Sequence, residues 1–502
     1  MGLFLAAPAA RAASHVATAA DFEAAIARLE QPDPGAPQAL NARLQYADFL
    51  VNGTGDCHTR LDEAARQLDA VAAHPGTRIL FALAPARLDG AAYALHAARA
   101  DCDPSARESE LRKALDAARA AAHGYRAGWD YPAAAVMQFN VAATLRALGD
   151  NQAAITALQS AIAMDRIFGF RDDAADNLAL LQRWQGGDDS DSHIAELMKD
   201  FPAPRTAALN FAWGQSDADT HIAANETSLV AGQVVESLGA VTVARHVRPD
   251  GKYWLVSHDP GSASADLGTW PPGHDIMKRF AAYMLALAML ETPKFRVESN
   301  GDFYELREGA AFAKALSAEM TARFGTAPPE QKALTQDLRS ALVPGQIETR
   351  MAEMHSLETA TWAGARLEQG KWYQMKAPLF LPGMGLGQYF LVTHTIEFSY
   401  TRDVACAPGD AAASCAEIVV RAAPTPDDLS KVMIQMASLF HMKDFDSLRY
   451  WSAIDLRLIV KPSTLAPVLS DMRRSWYVNV LGDSTMEPVV SSERIVTTLA
   501  YH

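Results

Sequence analysis

The chain has 502 residues, 49% hydrophobic and 21% charged, a length at which one core gives way to at least two domains. Its 45 Lys and Arg face 59 Asp and Glu, and the formal charge of −14 repels a phosphate backbone. No basic run interleaved with aromatics offsets that balance locally, so nucleic acid is excluded as an expected partner.

Residues 1–12 carry an apolar stretch followed by Ala10, Arg11 and Ala12, the small-x-small pattern that signal peptidase accepts. The segment is expected to be the remnant of a secretion signal, which places the protein outside the cytoplasm, in a periplasm. The alternative is an Ala-rich end with no targeting role. No Cys follows the expected cleavage site, which argues against a lipid anchor.

Residues 21–200 read as helix throughout. Apolar positions recur at spacings of three and four in LNARLQYADFLV, LDEAARQLDAV, GAAYALHAARA, ESELRKALDAARAAA, FNVAATLRALG and QAAITALQSAIAM. Short polar or Gly-containing breaks separate these pieces, the rhythm of antiparallel helix pairs. Cys57 and Cys102 fall in the loops of successive pairs, where a disulfide would tie neighbouring units and inert thiols are the alternative.

Within this region, residues 135–168 resemble a tetratricopeptide repeat. Asn140, Val141 and Ala142 take the N-L-G place of the first helix, and Gly149 with Asp150 makes the turn. Ala154, Ile155, Leu158, Ala161 and Ile162 fill the small and apolar places of the second helix, and Asp165 closes the unit. Leu145 and Leu158 stand where the family has aromatics, and Arg166 where Pro is usual. Residues 40–75 and 88–123 look like looser copies, and Asn177 to Gly186 like a capping hairpin, so the resemblance covers roughly residues 40–186. It implies a solenoid with a concave surface for a protein or peptide partner, and no catalysis of its own. Phe139, Ala143, Arg146, Arg183 and Trp184 would line that groove, an aromatic and basic set suited to an extended acidic segment. The same residues would otherwise pack between repeats.

The composition changes between residues 184 and 205, with a Gly and Asp cluster and the Pro202 to Pro204 link. Residues 205–502 then mix strands and helices, an α+β domain with mainly antiparallel sheet. Alternation is clearest from Phe390 to Tyr400, from Ile454 to Val460, at Trp476 and Val478, and at Ile495, Thr497, Leu499 and Tyr501. Further strands are expected at residues 240–247, in KYWLVSH, KFRVES, DFYELR and KWYQMKA. Helices are expected at 275–292, 309–325 and 346–368, and after Thr425, an N-cap followed by Pro426, Asp427 and Asp428. Cys406 and Cys415 bracket a turn-rich segment between two strand-like runs and are expected to form a disulfide. The apolar run from Phe280 to Leu290 falls short of the about 20 residues a membrane helix needs, so no transmembrane span is expected.

Motifs for chemistry are thin. No nucleophile elbow, zincin motif or phosphate loop occurs, and the Cys spacing suggests no zinc site. Gly383, Gly385 and Gly387 lead into a strand instead of opening a helix, which suits a connection and not a phosphate cradle. His258 with Asp259 and His274 with Asp275 read as turn and capping residues, and His394 as a core histidine. No catalytic residue, metal or cofactor is expected. The leading expectation is an exported, non-catalytic adaptor. The runner-up is a carrier of an apolar ligand, sheltered by a curved sheet closed by helices, and the third is an enzyme with an unrecognised site.

Overall fold

A computed structural model describes residues 18–30, 36–74, 84–266, 268–273, 293–324, 344–381, 391–406, 414–439, 448–480 and 488–502. Residues 1–12, the helix expected at 275–292, His274 with Asp275, and the three glycines at 383, 385 and 387 lie outside them.

The amino-terminal part is a helical array: α1 (Ala19–Glu30), α2 (Pro37–Asn52), α3 (Cys57–Ala73), α4 (Ala84–Cys102), α5 (Arg107–Ala127), α6 (Tyr131–Ala147), α7 (Asn151–Phe168), α8 (Arg171–Gln185) and α9 (Asp191–Leu197). Local chemistry sets the starts. Asp56, Asp130 and Asp150 accept the backbone N–H of Thr59, Ala133 and Ala153, and Ser190 accepts that of His193. Gly149 takes a φ of +85° between α6 and α7, a conformation that costs other residues dearly. Ala114, Ala118, Ala134, Ala142, Ala154 and Ala161 are fully buried, so the backbones approach closely. Asp165, buried at the end of α7, accepts a 2.8 Å hydrogen bond from Asn177 Nδ2 of α8, and burial pushes its carboxyl up to about 7 despite that bond. The Cys57–Cys102 disulfide, with Cα atoms 6.1 Å apart, joins the start of α3 to the end of α4.

The remainder is built on an eleven-stranded sheet, antiparallel at every pairing. Its strands are β2 (Ser216–Val230), β3 (Gln233–Asp250), β4 (Tyr253–Asp266), β5 (Lys294–Val297), β6 (Phe303–Arg307), β8 (Trp372–Phe380), β9 (Leu391–Ala405), β10 (Ser414–Pro424), β11 (Leu448–Val460), β12 (Pro467–Val480) and β13 (Val489–Tyr501). The order is β6-β5-β4-β3-β2-β13-β12-β11-β10-β9-β8, two meanders joined where β2 meets β13. An open sheet this wide curls under its own twist. The short β1 (Thr206–Ala208) pairs with β7 (Arg366–Glu368) beside it. The Cys406–Cys415 disulfide closes the β9–β10 hairpin, Cα atoms 5.1 Å apart.

Among the described residues, three helices accompany the sheet: α10 (Gly309–Phe324), α11 (Pro344–Glu358) and α12 (Pro426–Leu439). The helix expected over 346–368 stops at Glu358. A short 3-10 turn follows at Ala360–Trp362, Gly364 adopts a φ of +78°, and Arg366 to Glu368 join β1 as a strand. Trp362 anchors this reversal, its ring buried and its Nε1 donating to Leu357 O at 2.7 Å. The strand expected in KYWLVSH also runs further than the Pro260 and Gly261 that follow it suggest. It continues to Asp266 past a bulge in register with β3, where a Cβ on Gly261 would meet Thr242 O at 1.5 Å. Among the described residues, no helix is long and apolar enough to cross a membrane.

Candidate functional site

The two faces of the sheet have different neighbours. The inner face carries α11 and α12: Met354 and Leu357 of α11 pack on Ile222, Val241, Ile396, Ile418 and Leu456, while Val432 and Met433 of α12 pack on Val392 and Tyr450. Each fully buried aliphatic side chain there stabilises the fold by roughly 1.5–3 kcal/mol. The outer face carries the helical array through the ends of α6 and α7.

The register exposes a break in the inner face. Leu456, Met472, Ile495 and Ala224 lie opposite one another across β11, β12, β13 and β2, an apolar row. The next row in the same strands reads Ile454, Arg474, Glu493 and Glu226, with Ser237 of β3 beyond. The row after it is Ser452, Trp476, Ser491 and Ser228. Apolar packing resumes with Tyr450 and Val478 under α12. All of these polar residues are buried. A polar band thus crosses an apolar face in mid-sheet.

Within the band, Ser491 Oγ and Ser228 Oγ donate to Glu226 Oε1 at 3.1 and 3.3 Å, and the two hydroxyls lie 2.7 Å apart. Glu226 Oε2 is enclosed and has no partner. Burial and then the neighbouring Glu493 push the Glu226 carboxyl up to about 7, against the two hydroxyl bonds. Arg474 reaches Glu353 of α11 at 3.8 Å and Met354 Sδ at 3.4 Å, and its Nε is unpaired. His394, fully buried on the same face, meets the carbonyl of Val392 through Nδ1 at 2.8 Å. Burial draws its ring below the ordinary value, Arg474 does so further, and Nε2 is left without a partner.

Outside, the array docks with its charges matched. Tyr131 stacks on Phe168 at 4.1 Å, and the Arg402 guanidinium lies 5.5 and 5.2 Å from their rings. Glu417, inaccessible to solvent, accepts from Arg457 Nη2 at 2.6 Å, Arg457 Nε at 3.0 Å, Arg402 Nη2 at 3.3 Å and Thr401 Oγ1 at 2.7 Å. Burial alone would raise its carboxyl, but Arg457 and Arg402 outweigh that and hold it below the ordinary range. Arg421 pairs with Asp130 at 3.2 Å, and Gln369 Nε2 donates to Ile167 O at 2.7 Å. A small cleft between Trp129, Phe170, Trp372 and Thr401 marks the seam.

Of the expected groove residues, Arg146 and Trp184 come together, the guanidinium 5.5 Å from the ring, and Arg146 also bonds Asn151. Phe139 is half-buried against the helical core. Arg183 is exposed and reaches Asp189 at 3.5 Å. His58 lies beside the Cys57–Cys102 bridge, with donor atoms of all three within 4.8 Å, yet bridged sulfurs offer a metal no thiolate. Asp259 stands 3.1 Å from His246 Nε2 on an exposed part of the sheet. Glu226, Glu493, Glu353 and Arg474 escape a reading of the sequence for motifs. Their signal lay in the periodicity: the alternation through Trp476 and Val478, continued two residues back, puts Arg474 on the apolar face, and that through Ile495 does the same for Glu493.

No family model matches the chain, and no curated protein matches it. A solved structure described as lipid-protein interactions in lipovitellin shares 12% identity at a TM-score of 0.28, over 58% of this chain and 26% of that one. The chain thus spans about a quarter of that protein's length, and the likeness at this score bears on neither ligand nor partner.

Proposed function

We propose that the chain binds and carries an apolar molecule on the inner face of the eleven-stranded sheet. The observation that carries this reading is the polar band between two apolar zones. A sheet face serving only as a core has no use for a carboxylate oxygen and a guanidinium nitrogen left without partners, as Glu226 Oε2 and Arg474 Nε are, since each costs several kcal/mol unless something compensates it. Helices cover that face in place of a second sheet: α11 lies against the centre, where Glu353 and Met354 meet Arg474 of the band, and α12 packs on Val392 and Tyr450. Helices that separate from a sheet open an apolar surface lined with a few polar groups, the usual make-up of a ligand site. The test is calorimetric titration of the intact chain with decanol, together with solvent extraction and mass spectrometry of the purified protein. Saturable binding or a co-purifying lipid is expected. A folded protein that takes up neither would overturn the reading.

Two disulfides support an oxidising, exported setting, and we place the carrier in the periplasm on that ground together with the segment at residues 1–12. A second reading concerns the array, which the tetratricopeptide resemblance makes a docking platform. It is favoured by the position of Arg146 and Trp184, roughly 20 Å along α6 and α8 from the ends that meet the sheet. A pull-down comparing the native chain with Arg146→Ala/Arg183→Ala tests it. Equal recovery of every partner would remove the groove.

A further inference from the structure

The two disulfides sit in unlike surroundings. Cys406 and Cys415 close a hairpin and are both buried, so a thiol in solvent has no approach to either sulfur. Cys57 and Cys102 are only half-buried, and the exposed His58 stands beside them with a ring nitrogen within 4.8 Å of both sulfurs. The two ends of this bridge also differ from each other. Cys57 is the first residue of α3, where the unpaired N–H groups and the helix dipole favour a thiolate. The carboxylate of its neighbour Asp56 is turned to the Thr59 N–H, 2.8 Å away. Cys102 is the last residue of α4, at the negative end of that dipole and between Asp101 and Asp103, where a thiolate is disfavoured. Hydrogen bonds from Thr59 and Ser105 do most to hold Asp56 and Asp103 below the ordinary carboxylate range, and the nearby His58 adds to it. His58 thus faces both ends of the bridge.

We propose that the Cys57–Cys102 bridge is a thiol–disulfide exchange site for a dithiol-bearing protein, with Cys57 as the leaving sulfur and His58 assisting its departure. The partner's thiolate attacks Cys102 Sγ and forms a mixed disulfide there, and the electron pair of the broken bridge goes to Cys57 Sγ. A thiol of lower pKa leaves faster, which selects Cys102 as the sulfur attacked. The Cys57 thiolate departs into the first turn of α3 and is protonated by way of the His58 ring. The partner's second thiolate then attacks its own sulfur in the mixed disulfide, and Cys102 leaves and takes a proton from solvent. Two electrons and the two thiol protons pass from the dithiol to the bridge, and the partner ends as a disulfide. Opening the bridge unties the start of α3 from the end of α4. Leu61, Leu68 and Leu95 keep both helices on one apolar core, so the array stays folded and the site can close again. Cys406–Cys415, sealed in its hairpin, takes no part.

The experiment exposes the intact native chain briefly to dithiothreitol at neutral pH, quenches with excess iodoacetamide and scores both bridges by peptide mass spectrometry. Cys57–Cys102 is expected to open at least about tenfold faster than Cys406–Cys415. Glutathione, with a single thiol, replaces dithiothreitol to trap the intermediate, which should carry glutathione on Cys102 and the alkyl group on Cys57. His58→Ala should slow opening about fivefold while the trapped intermediate keeps that arrangement, and a melting curve checks that the variant folds as the native chain does. His58→Gln, which keeps polar bulk without an exchangeable ring proton, should slow it as much. The proposal is overturned if the two bridges open at equal rates, if Cys57–Cys102 opens only in denaturant, if glutathione is found on Cys57, or if either His58 variant opens as fast as the native chain.

Discussion

Two buried glutamates on opposite faces of one sheet differ in what surrounds them. Glu417, on the outer face, is enclosed by Arg457, Arg402 and Thr401, and its carboxyl sits below the ordinary range. Glu226, on the inner face, has two hydroxyls and a second carboxylate, and its carboxyl rises to about 7. The residue types are the same and the burial is comparable, so the difference comes from the partners alone. Charge on the outer face seals the array to the sheet. Charge on the inner face leaves Glu226 Oε2 without a partner.

The largest effect is expected where the compensation is most complete. Glu417→Ala strands two guanidinium groups in a closed seam and should cost about 3–5 kcal/mol, read from the urea midpoint. Hydrogen exchange at the start of α6 should rise with it, since the Tyr131 hydroxyl also bonds that carboxylate. A cost near zero would mean that the seam is held by ring stacking alone, and the contrast between the two faces would lose its basis.

Glu226→Gln should move stability the other way. A folded-state carboxyl raised from 4.5 to about 7 contributes stability that is full below about pH 4.5 and is lost as pH rises towards about 7. The variant should therefore match the native chain in acid and exceed it by about 2 kcal/mol at pH 8, a figure that treats each pKa unit as about 1.4 kcal/mol and allows for relaxation. Melting curves across that range decide it. A native chain whose stability is flat between about pH 5 and 7 would show that Glu226 is compensated after all.

The same two faces explain what could be read from the chain. The array was legible because its forces are local: Asp caps, a turn glycine and closely spaced alanines act within a few residues. So were β9, β11 and the second half of β13, where large apolar or aromatic side chains recur at inner positions; the first half of β13 carries Ser491 and Glu493 there instead. β2 was not, because its inward side chains include Ala218, Thr220, Ala224, Glu226 and Ser228, which give almost no hydrophobic alternation. The candidate site depends on that strand. Ser491 reaches Glu226 across 265 residues of chain, a pairing that no local pattern encodes. The early end assigned to β4 has a related cause, since Pro260 and Gly261 signal a turn when taken alone and a bulge only when Thr242 stands beside them.

The smallest effect concerns the array's far end. Arg146 is half-buried, lies over the Trp184 ring and bonds Asn151, so Arg146→Ala should cost no more than about 0.5–1 kcal/mol. A loss that small is useful because it leaves the array folded while removing one of the two basic groups beside the aromatic. Any large drop in partner recovery by the Arg146→Ala/Arg183→Ala chain would then report on docking and not on stability. A loss of several kcal/mol on Arg146→Ala would instead make Arg146 and Trp184 a clamp between α6 and α8, and the array would owe its order at that end to the contact that a partner was supposed to use.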